Sequence, residues 1–182
     1  MMRKLAYGFV CLAAMSAASA FAAGYSDENI ATSDDTVQRF EVGGKYVYVF
    51  TNAASAQMVT AKRGIVLTDC LLVGGGGGGG CSRAGGGGGG GVTNAANIVG
   101  AYIDEDYTFT LAVGEGGVGS VSRNSKGGNG GETSLEFGLF GATVPGGGGG
   151  GSWNSRAGAS GGSGGGGTQD GAGGAGIDGI GC

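Results

Sequence analysis

Two uninterrupted runs of seven glycines, residues 74–80 and 85–91, are separated only by Cys81, Ser82, Arg83 and Ala84. Such runs have no side chains to bury, and glycine loses more backbone freedom on ordering than any other residue. They are either flexible linker or extended helices of the polyproline-II type, rising about 3.1 Å per residue without internal hydrogen bonds. In the second case backbone N–H and C=O groups must pair between neighbouring runs, with Cα–H···O contacts adding a smaller term. Only glycine lets neighbours approach that closely on every side. A bundle needs further runs, and the sequence supplies them. They are 114–119 (interrupted by Glu115 and Val118), 127–131 (interrupted by Asn129), the pure run 146–151 after Pro145, and Gly/Ala/Ser tracts at 158–167 and 171–176. One proline and no Gly-X-Y period exclude collagen.

Between the runs lie strand-like segments. Residues 37–42 and 45–51 flank Gly43-Gly44, a two-glycine hairpin signal. Tyr46, Tyr48 and Phe50 alternate with Val47 and Val49, giving an aromatic face. Burial preference assigns that face to a core rather than to a sugar platform. Residues 52–63 read as a loop. Residues 64–73 read as one strand feeding the first glycine run, and 98–103 and 107–113 as two strands joined by Asp104-Glu105-Asp106. That acidic triplet reads as a solvated turn, since no oxygen-ligand spacing follows it. Residues 132–137 and 139–144 complete the strands. The expected fold class is mainly β: a small antiparallel sheet combined with a bundle of polyglycine-II helices, with little or no α-helix outside the leader.

The leader is residues 1–22, with basic Arg3 and Lys4, an apolar stretch over 5–15, and Ala20-Phe21-Ala22 as the small-x-small cleavage signal. Cleavage after Ala20 is the second choice. The apolar stretch is too short to span a bilayer well, and Gly8-Phe9-Val10 before Cys11 is a poor lipobox. No second hydrophobic segment follows, so no membrane span is expected in the mature chain. Residues 23–36 read as a flexible acidic N-terminus, and 37–182 as a single glycine-rich domain. A chain that stops inside a glycine tract at Cys182 also reads as a candidate for C-terminal truncation. Losing Arg3 and Lys4 takes the net charge from −4 to about −6. That balance disfavours nucleic acid.

There is no histidine, so a Ser-His-Asp triad, a histidine base and histidine metal sites are absent. The carboxylate pairs Asp34/Asp35 and Asp104/Asp106 look like surface charge, and no enzyme is expected. The glycine runs continue as Cys-Ser-Arg and Val-Thr-Asn, which fits neither a P-loop nor a dinucleotide fingerprint. Residues 173–181 match the calcium nonapeptide at every constrained position, with Asp178 as its aspartate. The preceding nonamer carries Gln169 at the aspartate position, so a complete calcium site is not built. Three cysteines remain after export, an odd number for an oxidising compartment. Eleven extended residue steps at about 3.1 Å separate Cys70 from Cys81 by about 34 Å, whereas a disulfide needs Cα atoms within about 7 Å. Cys81 and Cys182 are therefore the disulfide candidates, if the chain end returns to the turn.

Cys70-Leu71-Leu72-Val73 and its paired glycine runs resemble the opening of the bacterial and phage glycine-rich domain. Residues 107–117 are similar to its strand ending in Val-Gly-x-Gly-Gly. Residues 127–134, and Pro145 with its run and Ser152-Trp153, are similar to its later segments. The resemblance spans roughly 40–181 and implies polyglycine-II helices packed on strands. Similar bundles form phage tail-fibre tip adhesins, and a distantly similar domain belongs to the anaplastic lymphoma kinase receptor. Such adhesins present variable loops between polyglycine helices. By that resemblance Ser82, Arg83, Arg123, Asn124, Trp153 and Asn154 are the candidate contacts, with Trp153 otherwise a cap over helix ends. The leader departs from the phage setting and fits a bacterial secreted or surface protein: periplasmic, outer-surface or extracellular. The expected function is a structural or adhesive module for an unknown extracellular ligand or surface component, with self-association open. The alternative is a calcium-binding repeat fragment of a larger secreted protein. An ice- or surface-active bundle is a third reading, opposed by the irregular runs.

Overall fold

The computed structural model describes residues 6–11, 24–96 and 100–180. Among them run twelve strands: β1 (Ala6–Cys11), β2 (Ile30–Thr32), β3 (Gln38–Val42), β4 (Lys45–Phe50), β5 (Gln57–Ala61), β6 (Ile65–Leu67), β7 (Cys70–Val73), β8 (Val92–Asn94), β9 (Ala101–Ile103), β10 (Tyr107–Ala112), β11 (Thr133–Phe137) and β12 (Phe140–Val144). They form one sheet in the order β3-β4-β1-β7-β8, a second in the order β12-β11-β10-β5-β2, and a β6-β9 ribbon. The fold is mainly β, as expected. Pairing is antiparallel except where β1 lies parallel between β4 and β7. The apolar region of the expected leader thus supplies the central strand of the first sheet.

Alternation explains the burial. Tyr46, Tyr48 and Phe50 face inward as predicted, and with Leu72, Val59, Leu111, Leu135, Leu67 and Ile103 they form one core cluster drawn from both sheets and the ribbon. Gly43 and Gly44 both have positive φ (59° and 75°), as a two-residue hairpin turn between twisted strands demands.

Several expectations give way. Residues 57–61 are strand β5 rather than loop, pairing with β2 and β10. The single strand expected over 64–73 breaks at Thr68-Asp69 into β6 and β7, which enter different sheets. Residues 101–103 and 107–112 are the two expected strands, but they enter different sheets: β9 pairs with β6, and β10 with β5 and β11. Asp106 instead accepts the Arg63 N–H at 2.9 Å and sits 3.3 Å from Lys62 Nζ. Residues 24–36, expected to be flexible, are built around Asp27. Its carboxylate accepts the Asn29 and Ile30 N–H groups and the Tyr25 and Tyr48 hydroxyls, and it pairs with Arg39 at 3.1 Å. That network seats Ile30 fully buried in the core.

The glycine runs extend from the strand ends. β7 leads into 74–80, 85–91 lead back into β8, β10 leads towards 114–119, 127–131 lead towards β11, and β12 leads into 146–151. Thr133, fully buried, clamps this junction: its hydroxyl donates to Val73 O at 2.7 Å and accepts Gly114 N–H at 2.9 Å. Beyond it, bonds recur every third residue. The N–H groups of Gly74, Gly77 and Gly80 donate to the carbonyls of Gly91, Gly88 and Gly85 at 2.8–3.0 Å. Those of Gly75 and Gly78 donate to Gly131 and Gly128, while the carbonyls of Gly76 and Gly79 accept from Gly117 and Ser120. The first two runs are therefore antiparallel neighbours, and three is the repeat of polyproline-II geometry.

The same period governs space. A Cβ at Gly74, Gly75, Gly77, Gly78 or Gly80 would lie 1.9–2.2 Å from a neighbour's carbonyl oxygen, whereas Gly76 and Gly79 have 3.9–4.0 Å of clearance. In run 146–151 all six positions would clash at 1.9–2.1 Å. That run is the centre of the bundle. It exchanges backbone hydrogen bonds with 74–80, 85–91, 127–131 and the tract 158–167.

Candidate functional site: the tip of the glycine bundle

Because runs 74–80, 85–91, 114–119, 127–131 and 146–151 each start or end at the sheets, the turns between them collect at the opposite end. Residues 81–84, 120–126, 152–156 and 168–170 meet there. Cys81 N–H donates to the fully buried Ser152 Oγ at 2.7 Å, and Trp153 N–H donates to Cys81 O at 3.2 Å. Asn154 N–H donates to Arg123 O at 2.8 Å, and Asn154 Nδ2 donates to Asn124 Oδ1 at 2.6 Å. The buried Thr168 donates its hydroxyl to Arg83 O and its N–H to Arg156 O at 2.9 Å. Ser120 Oγ donates within its own turn to the Ser122 and Ser125 carbonyls. Polar side chains thus tie four turns from distant parts of the chain into one surface.

On that surface the Arg83 guanidinium lies over the Trp153 ring, 5.0 Å from its centroid. Such stacking fixes a flexible cation. Arg83, Arg123, Asn124, Lys126, Asn154 and Arg156 are exposed, and Trp153 is half-buried. All six residues singled out from sequence are brought together here. Lys126, Arg156, Ser152 and Thr168 were not singled out. Lys126 and Arg156 had a legible signal, since they and the two predicted arginines are the basic residues downstream of β7 and all four interrupt glycine tracts. Ser152 and Thr168 had none, because their partners are far away in sequence.

The backbone of the tip is strained. Among the described residues, the non-glycine ones with positive φ are Ser82 (61°), Arg83 (51°) and Gln169 (42°), all at the tip. At the sheet end of the molecule, positive φ belongs to glycines: Gly43, Gly44, Gly64, Gly100, Gly138 and Gly179. A left-handed conformation costs a side-chain-bearing residue about 1–2 kcal/mol.

The remaining sequence candidates lie elsewhere. Asp178 is exposed in the turn leading to Ile180, and among the described residues no three metal-ligating side chains gather. Cys70 and Cys81 are both free. Burial pushes the Cys70 thiol up to about 12. Cys182 lies outside the described residues. Ile180, two positions earlier, accepts the Val92 N–H at the sheet end of the second run, opposite Cys81. A surface depression lined by Thr93, Asn94, Leu135, Phe140 and Thr143 sits at the β8/β12 edge and carries no ionisable side chain. No described helix is long and apolar enough to cross a membrane.

Residues 51–181 match the family model of the glycine-rich domain. That span runs from the end of β4 through the whole bundle and its tip. No curated protein and no solved structure matches the chain.

Proposed function

We propose, from the premise that the chain belongs to the glycine-rich domain family, that it is an exported structural or adhesive module that binds a surface through the tip. The glycine runs serve as polyglycine-II struts, and the turns between them form the contact face. One observation carries this reading. A chain with 49 glycines places serine, arginine and glutamine at the left-handed positions of the tip, where glycine would be free of strain. Strain held against such an easy remedy marks side chains kept for contact. Export rests on the leader signal, and the central position of β1 makes its fate measurable: N-terminal sequencing of the secreted protein should begin at Ala23. Retention of residues 6–11 in the secreted chain overturns the cleavage.

The contact role is tested by Ser82→Gly/Arg83→Gly in the full-length chain, displayed to bacterial and host-cell surface fractions. Relief of strain is offset by the added freedom of the unfolded chain, so the melting temperature stays equal or rises. Surface binding falls at least tenfold. Unchanged binding by this folded variant overturns the tip as contact face.

A further inference from the structure

We infer that the tip ligand is an anionic polysaccharide, one carrying sulfate or carboxylate groups on a sugar backbone. This rests on the tip being the contact face. The first argument is charge placement. The tip holds Arg83, Arg123, Lys126 and Arg156 against the single carboxylate of Asp170, a local charge of +3. The rest of the chain therefore carries −7 of the net −4. An acidic protein that gathers its excess positive charge on one end attracts anions to that end and repels them elsewhere. Of the four cations, Arg156 alone has an ion-pair partner among the described residues, Asp170 at 3.3 Å. Arg83, Arg123 and Lys126 stay exposed and uncompensated.

The second argument is the kind of polar group beside the cations. The Asn154–Asn124 amide pair spends one N–H and one carbonyl on its mutual bond. Asn154 Oδ1 and Asn124 Nδ2 take no part in that bond, which leaves an acceptor and a donor side by side on exposed residues. Adjacent donor and acceptor groups suit vicinal hydroxyls, while a plain anion needs donors only. The half-exposed Trp153 indole adds an apolar plane of the size of one pyranose ring. Its stacking also holds the Arg83 fork in place for a planar carboxylate or a sulfate. Cations, a hydroxyl-reading amide pair and an aromatic plane on one pre-tied surface describe an acidic sugar better than a bare phosphate.

The test measures binding of the full-length chain to dextran sulfate, polygalacturonate, neutral dextran, linear polyphosphate and single-stranded DNA. Both acidic polysaccharides are expected to bind at least tenfold more tightly than dextran, with binding weakening as salt rises. Arg83→Ala/Arg123→Ala should abolish that preference. Trp153→Ala, which keeps every cation, should weaken acidic polysaccharide at least fivefold. Polyphosphate binding untouched by Trp153→Ala and as tight as that of dextran sulfate overturns the saccharide class, as does tighter binding of DNA. Tip-dependent binding of neutral dextran overturns the anionic class while leaving the tip as contact face. Binding of dextran sulfate that ignores all three substitutions overturns the tip itself. No binding to any probe overturns the inference, while cell-surface binding that Ser82→Gly/Arg83→Gly removes keeps the contact face.

Discussion

In the β portion, Phe50, Val59, Leu111 and Val144 fill the space between layers, each 0–2% exposed. In the bundle, run 146–151 is buried too, yet has no room for a single methyl group. One half of the molecule is held by side chains that displace water. The other is held by the absence of side chains, which lets each backbone find hydrogen-bond partners in its neighbours. The two halves therefore fail in opposite ways. The β portion fails when an atom is removed, and the bundle when one is added.

The largest expected effect is in the bundle. Gly148→Ala would set a Cβ 1.9 Å from Ala159 O, with Gly165 N at 2.8 Å, and both obstacles are backbone. Neither can rotate away, so the loss should exceed about 3 kcal/mol, the upper end of ordinary overpacking. Gly86→Ala adds the same methyl where nothing lies within 4 Å, and should be neutral or slightly stabilising by reducing unfolded-state freedom. Thermal melting of the two variants decides whether close approach or mere glycine content holds the bundle; equal effects would break the contrast. Leu111→Ala, at the centre of the β core, should follow with a loss of about 2–5 kcal/mol from cavity formation, read from urea unfolding.

The two halves also differed in how legible they were. The glycine runs, their antiparallel turn at 81–84 and the Gly43-Gly44 hairpin could be read because each follows from local sequence. β5 could not, since its burial inverts the usual pattern. Gln57 is buried at its start, while Met58, the larger apolar residue, is 64% exposed. The break within 64–73 was hidden because β6 and β7 are both apolar, and their separation is imposed by partners in different sheets. The order of 24–36 depends on Tyr48 and Arg39 reaching back to Asp27, which no local pattern encodes. At the tip, the exposed residues were legible as interruptions of glycine. Ser152 and Thr168 were not, because their function is to bind loops far away in sequence.

Asp27 sharpens the contrast from the β side, because it holds 24–36 by electrostatics that the bundle lacks. Burial acts to raise its pKa, but the Ile30 and Asn29 N–H groups and the Tyr48 and Tyr25 hydroxyls outweigh it and lower the value. A carboxylate with a lowered folded-state pKa contributes stability above the unfolded value of about 3.9 and loses it as pH falls through the folded value. Asp27→Asn should therefore lower stability at neutral pH by about 1.5–3 kcal/mol, the range for hydrogen bonds to a charged group. The gap from the parent chain should narrow as pH falls below the unfolded value and through the lowered folded one. Guanidinium unfolding at pH 7 and pH 3 checks this, and a gap that persists in acid would mean the loss is steric.

The smallest expected effect has the opposite sign. Asp34 lies two residues beyond β2 and Gln57 opens β5, whose shared register runs from Ile30↔Ala61 to Thr32↔Val59. Both are 2% exposed, and Asp34 Oδ2 and Gln57 Oε1 have no hydrogen-bond partner. Gln57 cannot turn its amide to help, because Nε2 already donates to the carbonyls of Asn52 and Ser55. Asp34 Oδ1 is committed to the Thr36 N–H and hydroxyl at 2.9 and 2.7 Å. Each residue thus buries an acceptor that no donor meets, which is costly. Asp34→Asn keeps the Oδ1 contacts, removes the unpartnered Oδ2 acceptor and takes a carboxylate charge out of a buried position. The urea midpoint should rise by the equivalent of about 1 kcal/mol with an unchanged slope. Gln57→Glu, which buries a charge at the other unpartnered acceptor, should lower it. If Asp34→Asn instead lowers the midpoint, a water or cation meets Asp34 Oδ2 in solution, and the β portion too would be held here by something other than its side chains.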